Sequence, residues 1–139
     1  LTKHDPKAGI LNTFVLDSEA LSQAVKGNRL MLGLLELAAD GEAEVVTSPM
    51  TLIEAYDGRI TERRWDWVLS RVEVVPLCKE QARAARRLLA NAGLHGHKYA
   101  IDAALAALVR EQKGQVTVLT SDVGDLKRLV PPVVAIQEV

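Results

Sequence analysis

Four carboxylates stand where the surrounding residues would ordinarily exclude charge. Asp17 closes the apolar run Thr13-Phe14-Val15-Leu16, and Glu54 interrupts Thr51-Leu52-Ile53 and Ala55-Tyr56. Asp102 lies inside an alanine- and leucine-rich stretch from Tyr99 to Val109, and Asp122 follows Val116-Thr117-Val118-Leu119-Thr120-Ser121. An unpaired buried carboxylate costs several kcal/mol against a total stability of roughly 5–15 kcal/mol. Singly, each acid has an ordinary use: a strand-end Asp caps the next helix, and Glu54 can be a solvated helix residue paired with Arg59. Four together point to a common ligand. Two charges about 4 Å apart repel by about 4 kcal/mol at an effective dielectric near 20, so converging acids must take up protons or bind cations. Carboxylate oxygens are hard ligands, which favours Mg²⁺ or Mn²⁺. One or two such ions with open water positions are the usual apparatus for in-line attack on a phosphodiester.

Convergence depends on the elements that carry these residues. Short β-like runs alternate with longer helical ones. Strands are expected at 13–16, 44–47, 72–75, 116–119 and 133–136. Helices are expected at 18–26, 28–39, from Ser48-Pro49 to near Gly58, and at 60–70, 79–92, 97–112 and 122–129. Ser48 supplies an N-cap and Pro49 the first helical position. Strands separated by helices imply a mostly parallel sheet of four to five strands covered on both faces, a single-domain three-layer α/β/α sandwich. Sites in such sheets lie at the carboxyl ends of the strands. Asp17 and Asp122 both stand just past a strand end and therefore share a rim. Glu54 leaves that rim on a helix, and Asp102 lies about one turn into its own.

The bulk numbers are compatible with this picture. The chain has 139 residues, 48% of them hydrophobic and 25% charged, as expected for one globular domain. A net charge of −1 gives no global attraction to nucleic acid, so such binding would need a local patch. A single cysteine, Cys78, excludes an internal disulfide and a thiolate zinc site and suits a reducing cytoplasm. No signal-peptide pattern or membrane-length apolar run is visible, so no membrane association is expected. Residues 1–11 (LTKHDPKAGIL) are expected to form an N-terminal tail, with the folded domain spanning 12–139.

Other features carry less specific chemistry. Lys79, Arg83, Arg86 and Arg87 fall on one face of the 79–92 helix. Residues 59–87 hold eight of the seventeen basic residues against four acids, which reads either as a phosphate-contacting stripe or as a solvated face. Lys98, one turn before Asp102, is a further candidate for contact with a nucleic-acid strand. The 28–39 helix is apolar nearly all round, which reads either as a second face for a partner to cover or as a thick local core. Trp65 and Trp67, two apart on a helix, must point to opposite sides. His95 and His97 flank Gly96 in an expected loop without ligand spacing, and Cys78 reads as a packing residue.

The ordered set of motifs resembles PIN-domain nucleases, specifically the toxin-like branch found in bacterial toxin–antitoxin modules. The matching segments are Phe14-Val15-Leu16-Asp17-Ser18, Glu54, Ile101-Asp102-Ala103-Ala104-Leu105-Ala106-Ala107 and Thr120-Ser121-Asp122-Val123-Gly124-Asp125-Leu126. Val123-Gly124 replaces a commoner Pro-containing pair, and Glu19 stands where a small or apolar residue is frequent. The resemblance implies a metal-dependent endoribonuclease with Asp17, Glu54, Asp102 and Asp122 as catalytic metal-site carboxylates and Asp125 as a peripheral ligand. It further implies supporting roles for Ser18 and Thr120, an RNA substrate approached by Lys98, Arg83, Arg86 and Arg87, a cognate antitoxin protein and a homodimer. A housekeeping PIN nuclease and a non-catalytic RNA- or protein-binding module on the same fold are the alternatives. A haloacid-dehalogenase phosphatase would need a second Asp where Glu19 stands. A response-regulator receiver gives the Asp102 helix no role.

Overall fold

The structure, a computed structural model, describes residues 11–139. The expected tail lies outside these residues except for Leu11. The chain runs β1 (Asn12–Leu16), α1 (Ser18–Val25), α2 (Arg29–Ala39), β2 (Glu44–Thr47), α3 (Pro49–Glu54) and α4 (Glu62–Leu69). It continues through β3 (Glu73–Val74), α5 (Lys79–Ala92), α6 (Gly96–Glu111), β4 (Gln115–Thr120), α7 (Val123–Lys127) and β5 (Ala135–Glu138). Every strand pair is parallel, and the sheet order is β3-β2-β1-β4-β5. The chain winds outward from β1 to β3, then returns to the other side of β1 with β4. The strand order therefore reverses between β1 and β4, where ligand crevices of open α/β sheets form.

Alternation along the strands divides the core into two. Leu16, Val45 and Leu119 enter one apolar cluster with α1, Met31 and Leu35 of α2, and Trp65 and Val68 of α4. Val15, Val46 and Val118 enter the other, with Leu105, Leu108 and Val109 of α6. Three layers follow directly, as expected for a parallel sheet. Helix α6 is buried at every position from Ala103 to Val109, because the sheet covers one side and α5 packs on another through Ala85 and Leu89. Trp65 is in the core, whereas Trp67 is partly exposed and lies under the guanidinium groups of Arg64 and Arg71.

Several local expectations are corrected. Helix α3 begins as predicted, with Ser48 and Thr51 forming a capping box, but ends at Glu54 rather than near Gly58. Helix α6 starts at Gly96, one residue early, with His95 as its N-cap and a kink at Tyr99, so His97 is helical and not in a loop. The last strand begins two residues late, at Ala135. Cys78 is exposed at the N-cap of α5, where its backbone N–H donates to Gln81 Oε1 (3.2 Å), and so it is not a core packing residue. No described helix is long and apolar enough to cross a membrane.

Candidate active site

Asp17 follows β1 directly, and its conformation is over-determined. Its backbone N–H donates to the Leu119 carbonyl of β4 (3.1 Å). One carboxylate oxygen accepts from Ala20 N–H (2.9 Å), capping α1, and the other accepts from Ser121 N–H (3.1 Å). One side chain thus ties the ends of two neighbouring strands to the start of a helix. Asp17 is nearly buried. Asp122 begins α7 just past β4; its backbone N–H donates to the hydroxyl of the fully buried Thr120 (2.8 Å). Ser18 is the first residue of α1 and half-buried.

Asp102, Asp122 and Asp125 each offer a carboxylate oxygen within 4.8 Å of the others. Burial pushes the Asp102 carboxyl up to about 6, and the charges of Asp122, Asp125, Glu54 and Asp17 add to that effect in this order. The other three sequence-selected acids, with Asp125, therefore act on one half-buried group, the Asp102 carboxyl. Asp122 is the most exposed of the trio, and it too is held above the usual carboxylate range, by desolvation first and by the adjoining Asp125 carboxyl second. Glu54 is exposed at the end of α3, which packs against α6. Arg59 does not pair with it, because Asp57 takes that guanidinium in a 2.9 Å ion pair. The donor set is all carboxylate, without His or Cys, and carries excess negative charge, which fits a hard divalent cation.

A group of hydroxyls that sequence reading did not single out supports the rim. The Thr47 hydroxyl, at the end of β2, donates to the Leu16 carbonyl (2.7 Å), immediately before Asp17. With the Thr47 proton committed to Leu16, the Thr51 hydroxyl faces both the Thr47 hydroxyl and the Ser48 carbonyl (2.7 Å) and gives its single proton to one of them. Thr47, Ser48 and Thr51 are all buried. Three polar residues around a helix start are a visible signal, but their link to β1 is not. Thr47→Val should lower unfolding stability by about 1–2 kcal/mol, because Thr51 loses a partner and the Leu16 carbonyl loses a donor. Urea denaturation checks this.

The basic residues divide into two groups. Arg83, Arg86 and Arg87 line a surface hollow of about 360 Å³ on α5 and lie outside the acid cluster. Lys98 is nearer the acids in the chain: its Nζ lies 5.3 Å from the centre of the Tyr99 ring. The Arg128 guanidinium also approaches that ring, at 6.0 Å, and its Nη1 is 3.7 Å from Asp125 Oδ1.

Acids after β1 and β4, one on the intervening α3 and one on α6 converge at the switch point of a parallel sheet. A family model described as PIN domain matches residues 14–129, which includes every one of them. The chain belongs to the PIN-domain family. Among curated proteins no relative matches it. A crystal structure of VapBC2 from Rickettsia felis, bound to a DNA fragment from their promoter, contains a chain with the same fold. The TM-score is 0.63 at 18% identity, over 91% of this PIN-family chain and 98% of that chain. At such identity the likeness concerns the fold.

Proposed function

We propose that this PIN domain is a Mg²⁺- or Mn²⁺-dependent endoribonuclease and the toxin of a toxin–antitoxin pair. The observation that carries the reading is the acid trio within 4.8 Å, with Asp102 raised by its own burial and by four neighbouring carboxylates. So concentrated a charge is tolerable when a cation shares it. Asp102, Asp122 and Asp125 would hold the ion, with Asp17 and Glu54 as further carboxylates of the site. When bound, such an ion supplies Lewis-acid chemistry, lowering the pKa of a coordinated water and neutralising charge on phosphate oxygens. The chain's own residues fix the geometry. Asp17 is locked by two backbone donors, Thr120 sets the turn into Asp122, and the hydroxyls of Thr47 and Thr51 anchor the strand end below Asp17. Hydrolysis would leave a 5′-phosphate and a 3′-hydroxyl. Lys98 and the Arg83, Arg86 and Arg87 face are the proposed routes for the RNA backbone. Calorimetric titration with Mn²⁺ tests the metal assignment: binding should weaken at least tenfold on Glu54→Gln. Absence of binding to the wild-type chain would leave only the non-catalytic module.

The antitoxin assignment draws on α2. Leu30 and Leu37 are 63% and 41% exposed. With Phe14, Leu34 and Leu119 they line an apolar hollow of about 500 Å³ beside β4 and β5. The amphipathic segment of an antitoxin would cover this face. The joint substitution Leu30→Asp and Leu37→Asp should abolish co-purification with the product of the neighbouring reading frame while RNA cleavage persists. Retained co-purification would remove α2 from the interface.

A further inference from the structure

We infer that Arg128, set against the Tyr99 ring beside Lys98, is a phosphate-binding residue for the RNA strand, an assignment that rests on the ribonuclease reading. Two cations gather on one aromatic ring at the edge of the acid cluster: Lys98 Nζ at 5.3 Å and Arg128 Cζ at 6.0 Å from its centre. They come from different elements. Lys98 lies in the first turns of α6, next to the kink at Tyr99, and Arg128 caps the end of α7. Only the packing of α6 against α7 brings them together, and that packing also brings Asp102 to Asp122 and Asp125.

A purely structural use for Arg128 is poorly supported by its geometry. Its ion pair with Asp125 is a single contact at 3.7 Å between side chains that are 51% and 26% exposed. A pair so open contributes little to stability. At that distance the contact is longer than a hydrogen bond and leaves the guanidinium donors uncommitted. It is also one of two ion pairs among the described residues, and the one that touches the acid cluster. A polyanionic strand drawn to a carboxylate-rich site meets repulsion from five acids, and a cation at the rim offsets it. Arginine suits the task because its planar fork binds phosphate oxygens in pairs and stacks on an aromatic ring.

The test is binding, not turnover. A fluorescent single-stranded oligoribonucleotide is titrated with the Asp102→Asn chain, which keeps the strand intact, at several salt concentrations. Arg128→Ala should weaken binding about fivefold to tenfold. It should also lower the salt slope by about 0.7, the value for one lost phosphate contact on a single strand. Arg128→Lys should restore the slope, and Lys113→Ala, which removes an exposed charge ahead of β4, should leave it unchanged. An unchanged slope and affinity for Arg128→Ala would overturn the assignment while leaving the ribonuclease reading intact. Equal losses for Arg128→Ala and Lys113→Ala would also overturn it, by pointing to net charge alone. Failure of the parent chain to bind RNA would overturn both.

Discussion

Asp102→Asn should stop RNA cleavage and, at neutral pH, make the metal-free protein more stable. Both effects have one origin. The Asp102 carboxyl is raised from 3.8 to about 6 by burial and by four neighbouring acids, and no hydrogen bond offsets that rise. Between those two pH values the folded protein holds a proton that the unfolded chain releases. Stability of the metal-free protein therefore falls as pH climbs from about 4 to about 6, and stays lower above that range. At about 1.4 kcal/mol per unit, discounted for the solvent that reaches a half-buried group, the penalty at pH 7 is about 2 kcal/mol. Asn has the same shape and no charge. Thermal melts in chelator at pH 7.5 should show Asp102→Asn about 5–8 °C above the wild type, with the gap closing near pH 4. Saturating Mn²⁺ should reverse the ranking, since mass action stabilises only the chain that binds the ion.

Asp17→Ala should have the opposite effect on stability while also abolishing cleavage. Asp17 accepts from Ala20 N–H and Ser121 N–H, and so joins the ends of β1 and β4 to α1. Removing the carboxylate deletes a helix cap, worth about 1 kcal/mol, and strands a half-buried amide at a similar or greater cost. The expected loss is about 2–3 kcal/mol. Asp17→Asn, with one acceptor oxygen for two donors, should lose about half of that. Chemical denaturation of the three chains in chelator gives the order directly. The two acids thus contribute to the same proposed site from opposite sides of the stability balance: Asp17 is part of the scaffold, and Asp102 is a charge the scaffold tolerates.

That contrast marks what the sequence could and could not reveal. The parallel layering was legible because strand-like and helix-like runs alternate, and because apolar residues fill both faces of β1, β2 and β4. Asp17 and Asp122 could be placed on one rim from their position after strands. Their adjacency could not, since it depends on β1 pairing with β4 through Leu16 and Leu119, a choice made by the whole sheet. Convergence of Asp102 likewise required the docking of α6, whose alanine-rich surface is compatible with many orientations. Thr47 and Arg128 escaped notice for the same reason: a threonine ending a strand and an arginine ending a short helix are locally ordinary. Their contacts with the Leu16 carbonyl and with Asp125 and Tyr99 are made in the fold. The early end of α3 has a local cause, with Ala55 and Tyr56 closing the last turn on Thr51 and Ile53. The propensity of the segment Thr51–Ala55 gave no stop signal before Gly58.

The central claim is that five acids at the β1–β4 switch point form a metal-dependent RNA-cleaving site. The most direct measurement incubates purified protein with single-stranded RNA and Mg²⁺ or Mn²⁺, and then determines the chemistry of the new termini. Fragments bearing 5′-phosphate and 3′-hydroxyl ends are expected from the wild-type chain, and none with chelator or with Asp102→Asn. RNA left intact by a folded, metal-loaded wild-type chain would contradict the account, and so would cleavage that survives chelation or Asp102→Asn.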